Sequence, residues 1–288
     1  MPEGDTVRRL ADRISRRFLG QVCERSTARD PRIAHLDLAG RRLVDVDAHG
    51  KWLLLRFDDD RTVYGHLRMD GKWEVGRRAT QPEWQRRLEL RMENGWLTAI
   101  DMPIIGSVAT AKEHSVIGHL GPDLCRPETP DIDLICERLH SNGDRPLAGA
   151  LLDQRNVAGF GNLYAVEVPF IAGVSPFQHV DAIGDLKALV ACGAALIRTN
   201  AERGPQNTTG RRLHTSHHWI YGRKGRLCPW CSTTPLDGAG ELDTAWQRVT
   251  TWCPSCQPVG ERVNVDPTRI VAAMCLHPAR RSMFAPGG

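Results

Sequence analysis

Four cysteines stand in two Cys-X-X-Cys pairs, Cys228-Pro-Trp-Cys231 and Cys253-Pro-Ser-Cys256, which are separated by 21 residues. A two-residue spacing lets both thiolates of a pair bind one metal ion, and four thiolates form a closed tetrahedral shell around Zn²⁺ that leaves no position for a substrate. A redox dithiol and a disulfide are the alternatives that the pairs alone leave open. The pattern favours one structural Zn²⁺ that stabilises a hairpin and performs no chemistry.

The start of the chain, Met1-Pro2-Glu3-Gly4, is a second group of residues with chemical potential. If Met1 is removed, the nitrogen of Pro2 becomes a secondary amine. Terminal amines titrate at about pH 8, so a useful fraction is neutral at physiological pH, and the positive end of a following helix favours the neutral form further. Such an amine can attack an aldehyde-like carbon and form an iminium, and Glu3 can transfer protons beside it. The alternative is that Met-Pro only begins a helix well.

Two further positions are suited to binding anions. Gly159-Phe160-Gly161-Asn162 stands directly before a predicted helix, where glycines allow close backbone approach, Asn162 suits the N-cap and free amides bind anions. Arg248 lies between the cysteine pairs, where a basic residue on a zinc-stabilised hairpin can contact phosphate. The alternatives are an ordinary turn between helices and a solvated surface arginine.

Hydrophobic periodicity predicts the elements that position these residues. Apolar residues at helical spacing predict a first helix over residues 5–19, directly after Pro2 and Glu3. Short aliphatic and aromatic segments between turn residues, typical of an antiparallel sandwich or barrel, predict strands over 42–46, 51–57, 62–67, 88–92 and 96–100. After a segment rich in glycine and proline, the pattern predicts helices over 132–140, 146–154, 162–170 and 181–200.

Composition excludes several classes of protein. The chain of 288 residues is 41% hydrophobic and 25% charged, which is ordinary for a folded protein. Its longest apolar run, Ala188–Ile197, is ten residues, whereas a membrane helix needs about 20. The N-terminus has no secretory signal pattern, and the five unpaired cysteines suit a reducing compartment, so we expect a cytoplasmic protein. From Pro205 onwards there are ten basic and five acidic residues, a bias compatible with phosphate contact.

Four separated segments resemble the formamidopyrimidine-DNA glycosylase/endonuclease VIII family of base-excision repair enzymes. Their order and approximate spacing are similar to the family's over about 1–257. The start Met-Pro-Glu-Gly looks more like the endonuclease VIII branch. The segments are residues 1–4, residues 50–55, residues 151–167, and the cysteine pairs with Gln247, Arg248 and Gln257.

The resemblance implies an α+β multidomain protein. An N-terminal helix and antiparallel β-sandwich form a catalytic domain over 1–117, and a linker follows over 118–131. A helical domain with a helix–two-turn–helix motif then binds DNA over 132–212. A C-terminal zinc-stapled β-hairpin forms the zinc finger over 213–257. We expect the tail over 258–288 to be poorly ordered, since it shows little periodicity.

The resemblance also implies roles for single residues. Pro2 matches the nucleophile that attacks C1′ of the damaged nucleotide, and Glu3 matches the acid/base that assists opening of the sugar ring. Lys51 matches a lysine that contacts phosphate and supports catalysis. Asn162 and Arg248 match residues that bind phosphates flanking the lesion. In addition, Met69 stands where a side chain would fill the space left by a flipped nucleotide, and a core position at a strand end is its alternative.

The implied function is that of a bifunctional DNA glycosylase/AP lyase on damaged DNA, acting as a monomer associated with the nucleoid. Residues 101–106 lack the Arg-Phe pair of the formamidopyrimidine branch, which argues against a straightforward 8-oxoguanine enzyme and favours oxidised pyrimidines. The gap between the cysteine pairs is longer than usual for the family. The alternative function is a damage-recognising DNA-binding protein of the same fold with little or no catalysis.

Overall fold

The computed structural model describes residues 2–78, 80–126, 128, 130–211, 217–232, 236–238 and 250–275. The chain divides into two compact units, Met1–His119 and Leu120–Gly288. Helix α1 opens the first unit, eight strands follow and the short helix α2 closes it. Their bounds are α1 Gly4–Phe18, β1 Cys23–Ala28, β2 Leu43–His49, β3 Trp52–Phe57, β4 Arg61–His66, β5 Lys72–Gly76, β6 Arg86–Met92, β7 Gly95–Ile100, β8 Ile104–Ala109 and α2 His114–Ile117.

The eight strands form two antiparallel four-stranded sheets, in the orders β2-β3-β4-β8 and β1-β6-β7-β5. One face of α1 is apolar, and its Val7, Ile14 and Phe18 are buried in the core that the strands also form. This arrangement confirms the predicted N-terminal helix and antiparallel β-sandwich. It also fixes the start of α1, where Pro2 and Glu3 lie, against the β2-β3-β4-β8 sheet.

Helices dominate the second unit. In chain order its elements are α3 Ile132–His140, α4 Leu147–Leu152, α5 Asn162–Ala172, β9 Ile183–Gly184, α6 Leu186–Arg203, β10 Leu236–Gly238, β11 Thr250–Trp252, β12 Val263–Asn264 and α7 Pro267–Cys275. Helix α5 is buried on all sides and forms the centre of this unit's core. Strands β10 and β11 pair antiparallel, and β12 pairs parallel with β9. Across the part of the chain that the structure describes, no helix is long and apolar enough to cross a membrane.

The prediction of a poorly ordered tail after Gln257 is wrong for residues 258–275. Strand β12 pairs with β9, and α7 buries Ile270, Ala273 and Met274 in the core of the second unit. The prediction failed because the short helix α7 shows its apolar face only weakly in sequence. The surface that α7 covers is formed by residues distant in the chain, so the sequence of the tail alone does not indicate this packing. Residues 276–288 lie outside the described residues.

Candidate active site and metal centre

Pro2 and Glu3 lie immediately before the first turn of α1. Glu3 occupies the N-cap position in an extended conformation, and its carbonyl accepts hydrogen bonds from the amides of Thr6 and Val7 at 3.0 and 3.1 Å. The side chain of Glu3 is fully buried, whereas Pro2 is partly exposed. The partly exposed Pro2 therefore stands beside the fully buried side chain of Glu3 at the positive end of a 15-residue helix.

One ion pair joins the first turns of α1 to the sheet, and another lies within the helix. Asp5 is fully buried and pairs with Arg9 at 3.2 Å, and Arg8 pairs with Asp47 of β2 at 3.0 Å. Strand β2 runs from Asp47 into the turn that carries Lys51. The structure thus places the predicted lysine at the end of the sheet where α1 begins.

His66 ends β4 at the same end of this sheet. It pairs in register with Trp52, the residue after Lys51, and its ring packs edge-on against that indole with centroids 5.1 Å apart. The Nδ1 atom of His66 accepts a hydrogen bond from the amide of Arg68 at 3.1 Å. Burial, and after it the positive charges of Arg68 and Lys51, lower the pKa of His66 to about 4. His66 is therefore a neutral ring beside two cations at neutral pH, and its Nε2 carries the proton.

Met69 follows in the loop after β4. Its side chain is 59% exposed, so the alternative of a core position at a strand end is wrong. The preceding residue, Arg68, has a φ of 49°, a left-handed conformation that reverses the chain and presents the next side chain to solvent. The cation of Lys51 and the neutral ring of His66 thus lie at the same end of the sheet as the exposed apolar side chain of Met69.

The glycine turn of the second unit is organised by Gln154. Its side-chain amide donates to the carbonyls of Leu152 and Phe160 at 2.9 and 2.8 Å, and its Oε1 accepts from the amide of Gly159 at 3.1 Å. Gly159 has a φ of 105°, which only glycine adopts without strain. Asn162 is the first residue of α5 and is 8% exposed, while Gly161 is the N-cap. The predicted N-cap role of Asn162 is therefore wrong by one residue, although Asn162 does lie at the start of the helix.

The four predicted cysteine ligands form one cluster. Their sulfur atoms all lie within 4.8 Å of one another, with Cys228 and Cys256 at 3.9 Å and Cys231 and Cys253 at 3.4 Å. Four thiolates around Zn²⁺ at about 2.3 Å place the sulfurs roughly 3.8 Å apart, so the donor set and its dimensions fit this ion. The cluster can bind a metal ion, and its closed shell leaves that ion a structural role.

Residues after the cluster anchor it to α5. The side chain of Gln257 accepts from the amide of Cys253 at 3.0 Å and donates to the carbonyl of Val174 at 2.7 Å. Arg269 of α7 donates to the carbonyls of Cys256 and Phe170 at 3.1 and 2.8 Å. Its guanidinium also lies 4.6 Å from the ring centroid of Trp230, inside the first cysteine pair. The tail helix thus connects the metal centre with the core of the second unit.

Comparisons with known proteins match most of the chain. The profile of the formamidopyrimidine-DNA glycosylase N-terminal domain matches residues 1–107, and that of the formamidopyrimidine-DNA glycosylase H2TH domain matches residues 120–204. A Streptomyces coelicolor protein named probable endonuclease 8 2 is 39% identical over 280 residues, which cover 93% of this chain and 100% of the relative. This chain belongs to the formamidopyrimidine-DNA glycosylase/endonuclease VIII family. It is an enzyme of the DNA glycosylase and AP lyase class.

Two further matches within the family agree. A Mycolicibacterium smegmatis protein named DNA-(apurinic or apyrimidinic site) lyase Nei2 is 34% identical over 257 residues, covering 89% of this chain and 99% of the relative. The crystal structure of the MutM (Fpg) protein from Thermus thermophilus has a TM-score of 0.74 at 27% identity, covering 90% of this chain and 100% of that one. The predicted family and fold class are therefore confirmed. Arg248, the finger arginine that the family resemblance implied, lies outside the described residues.

A buried carboxylate that sequence reasoning did not single out supports the second unit of this glycosylase. Glu167 of α5 is fully buried and accepts hydrogen bonds from the amides of Trp219, Ile220 and Tyr221 at 2.8, 2.8 and 2.7 Å. It also accepts from the hydroxyl of Thr208. One side chain thus fixes the segment that leads to Cys228. An acidic residue inside the otherwise apolar run of α5 was the available signal.

We expect Glu167→Gln to lower the free energy of unfolding by about 2–4 kcal/mol, because the new amide group presents N–H donors to buried donors. Urea unfolding of the full chain measures this loss. Glu137→Gln is the matched control, since Glu137 is exposed on α3 of the same unit and its change should cost less than about 0.5 kcal/mol. Equal unfolding midpoints for the two variants would contradict the role of Glu167.

His66 makes stability depend on pH. The unfolded chain binds a proton at this ring below about pH 6.5, whereas the folded protein binds it only below about pH 4. The unfolded state therefore holds more protons in this window, and the free energy of unfolding falls as pH falls, by up to about 3 kcal/mol. His66→Asn keeps an acceptor near the amide of Arg68 without a titrating ring. We expect urea unfolding at about pH 7 and about pH 4.5 to show a smaller loss for His66→Asn than for the parent, and equal losses would refute the assignment.

Proposed function

We propose that the enzyme removes oxidised bases, chiefly pyrimidines, from damaged DNA through a Schiff base at Pro2 and then cleaves the strand by β- and δ-elimination. The observation that carries the proposal is the partly exposed Pro2 beside the fully buried Glu3 at the N-terminus of α1. Relatives named endonuclease 8 and DNA-(apurinic or apyrimidinic site) lyase support the same reaction. The proposal requires that Met1 is removed.

In the first stage the neutral amine of Pro2 attacks C1′ of the damaged nucleotide. The N–C1′ bond forms, the bond from C1′ to the base breaks, and the base leaves with the proton that the amine nitrogen gives up. Glu3 protonates the ring oxygen of the sugar as the ring opens, and the nitrogen lone pair then completes an iminium. The reacting nucleotide must be flipped out of the helix, because the amine cannot reach C1′ inside the base stack.

In the second stage the iminium acidifies the protons on C2′. Loss of one such proton breaks the C3′–O bond and releases the 3′ phosphate. A second elimination takes a proton from C4′, breaks the C5′–O bond and releases the 5′ phosphate. Water finally hydrolyses the Schiff base and regenerates the amine of Pro2. Glu3 would transfer the protons during these steps.

We assign roles to the residues around the amine on the basis of their positions. Lys51, with the neutral His66 beside it, would bind the backbone phosphate next to the lesion. Met69 would enter the base stack, since an exposed apolar side chain can fill the space that a flipped nucleotide leaves. In the second unit, Asn162 and Arg248 would bind flanking phosphates, which makes 132–212 a DNA-binding domain and 213–257 a zinc finger.

The cysteine cluster would hold one Zn²⁺, which supplies no chemistry to the reaction when bound and stabilises the fold around it. We further propose that the protein acts as a monomer in the cytoplasm, where its DNA substrate lies. The preference for pyrimidines rests on residues 101–106, which have no arginine or phenylalanine. An enzyme without these side chains is poorly equipped to probe the base opposite 8-oxoguanine.

Single-turnover assays test the substrate class. Duplexes of one sequence would carry an oxidised pyrimidine, 8-oxoguanine, an abasic site or no lesion. We expect excision of the oxidised pyrimidine to be about tenfold or more faster than that of 8-oxoguanine, and both β- and δ-elimination products from the abasic site. Faster excision of 8-oxoguanine would overturn the substrate class. Binding of all damaged duplexes without any cleavage would overturn the proposed activity itself.

A further inference from the structure

Arginines collect around the turn that joins β6 and β7, far along α1 from Pro2. The turn is Glu93-Asn94, followed by Gly95 and Trp96 of β7. We name the surface around it the basic turn patch. It consists of Arg13, Arg16 and Arg17 on the α1 side and Arg25, Arg78 and Arg91 on the sheet side.

On the α1 side the patch forms a groove of about 600 Å³. Three arginines of α1 line it together with Val75 and Asn94, and no carboxylate among the described residues does. Arg17 is fixed by a hydrogen bond from its Nη2 to the carbonyl of Asn94 at 2.7 Å. Arg13 and Arg16 are exposed, and within the described ranges neither guanidinium makes a hydrogen bond or ion pair. The groove is therefore cationic and lacks its own counterions.

On the sheet side the arginines flank an indole ring. The guanidiniums of Arg25 and Arg91 lie 5.1 and 5.7 Å from the ring centroid of Trp96. A recess of about 450 Å³ extends from this stack to Arg78. Of these arginines, Arg91 alone pairs with a carboxylate of the described residues, that of Glu24 at 3.3 Å.

The remaining charges of this recess neutralise one another. Arg29 pairs with Glu83 at 3.0 Å and also with Glu89, and Arg86 pairs with Glu89 at 2.8 Å. Arg25, like Arg78, has no ion pair among the residues that the structure describes. The uncompensated charge of the recess thus belongs to these two guanidiniums.

Folding explains only part of this arrangement: contact with the ring of Trp96 stabilises Arg25 and Arg91 where they lie. Cations in the last turn of a helix interact favourably with its dipole, which accounts for Arg16 and Arg17. Arg25 lies on β1 and Arg78 lies in the loop after β5, where no helix end is present. Like charges around one turn repel one another in the free protein, so an anionic partner would relieve a cost that the fold alone leaves in place.

We propose that the basic turn patch is a second contact surface for the DNA backbone, separate from the residues around Pro2. This inference rests on the proposed function, which brings DNA to the enzyme. Guanidiniums bind phosphate through paired hydrogen bonds, and a row of them beside an indole suits a repeating phosphate chain. An acidic peptide suits it less, because the groove offers only Val75 as an apolar contact.

The patch requires DNA beyond the lesion. Helical rise places Arg16 roughly 20 Å from Glu3 along the axis of α1. At 3.4 Å per base pair, about six base pairs span that length. A duplex of about 10 base pairs centred on the lesion extends about 17 Å to either side, which is less than this length, whereas one of about 40 base pairs extends about 68 Å.

The test compares the parent with two double variants, Arg13→Ala/Arg16→Ala and Arg25→Ala/Arg78→Ala. For each protein it measures how the affinity for the short and the long duplex depends on salt, with one abasic-site analogue in each duplex. Each phosphate contact contributes about 0.9 to the slope of log K against log salt. We expect each double variant to reduce the magnitude of this slope by about 1–2 on the long duplex. The slope on the short duplex should stay at the parent value. The matching Arg→Lys doubles should restore the slope, because they keep the charge.

Arg41→Ala/Arg61→Ala is the control, since these arginines share Asp59 at 3.7 Å and lie outside the patch. Far-UV circular dichroism verifies that each variant is folded, and the corresponding Arg→Gln doubles, which also remove the charge, replace an alanine double that is not folded. Parent-like slopes on the long duplex for the patch variants would overturn the proposal. Equal losses of slope for the control and the patch variants would overturn it as well. Borohydride trapping on the short duplex tests Pro2 independently, so failure of the proposed function is distinguishable.

Discussion

Replacement of Glu3 by glutamine should slow base excision by about 10²–10⁴-fold, the range typical of a lost general acid/base. The side chain is fully buried at the N-cap of α1, directly beside Pro2, so no solvent proton donor replaces it easily. Glutamine has nearly the same shape, and the hydrogen bonds at the start of α1 use the backbone carbonyl of residue 3. The loss should therefore appear in the chemical step, while the two backbone hydrogen bonds from Thr6 and Val7 remain.

Single-turnover excision on a duplex with one oxidised pyrimidine measures this effect, and a binding assay with an abasic-site analogue accompanies it. Asp37→Asn makes the same change from carboxylate to amide at an exposed position of the same unit, and its rate should match the parent. We expect near-parental affinity for Glu3→Gln. A rate within about threefold of the parent would contradict proton transfer by Glu3.

Loss of the metal should have the second large effect. Cys253→Ser removes one of four thiolates from the cluster, and structural zinc sites of this type supply about 10–16 kcal/mol of binding free energy in small peptides. We expect the variant to lose the ion, to unfold at lower urea concentration and to bind DNA at least tenfold more weakly. Trp230 should report the change in its fluorescence, because it lies 4.6 Å from Arg269 and 5.5 Å from the ring of Trp219.

Metal content by mass spectrometry and tryptophan emission measure the outcome. Cys136→Ser is the matched control, since this cysteine lies on α3 outside the cluster and should keep the metal, the emission spectrum and DNA affinity. A chelator should reproduce the effect of Cys253→Ser in the parent protein. Full DNA affinity in a metal-free protein would contradict the structural role of the ion.

Hydrophobic patterning predicted those elements whose apolar faces appear as a periodic pattern among neighbouring residues. Helix α1 and strands β3, β4 and β7 fall within one or two residues of their predicted bounds because their side chains alternate or recur against one core. Strand β1, Cys23–Ala28, was missed: it is polar, lies at a sheet edge and gains its order by pairing with β6. Strand β8 was missed as well, because Gly106 interrupts its apolar run where the ring of Tyr64 packs.

Residues whose partners are distant in sequence account for most of what was missed at the site. His66 owes its lowered pKa to burial and to Lys51, 15 positions before it. Glu167 binds amides more than 50 positions away, and Arg269 binds the carbonyl of Phe170. The cysteine pairs and Pro2 were found because the residues that indicate their chemistry are adjacent in the sequence. Contacts over long separations have no such local pattern.

The most direct test of the account is borohydride trapping on a duplex with one abasic site, followed by peptide mapping of the adduct. Borohydride reduces an iminium to a stable amine, so the mapped residue is the nucleophile. We predict a single cross-link at Pro2 in a chain that has lost Met1. A cross-link at Lys51 would contradict the choice of nucleophile and leave the lyase in place. No cross-link, from protein that holds its metal and binds the duplex, would contradict the covalent mechanism.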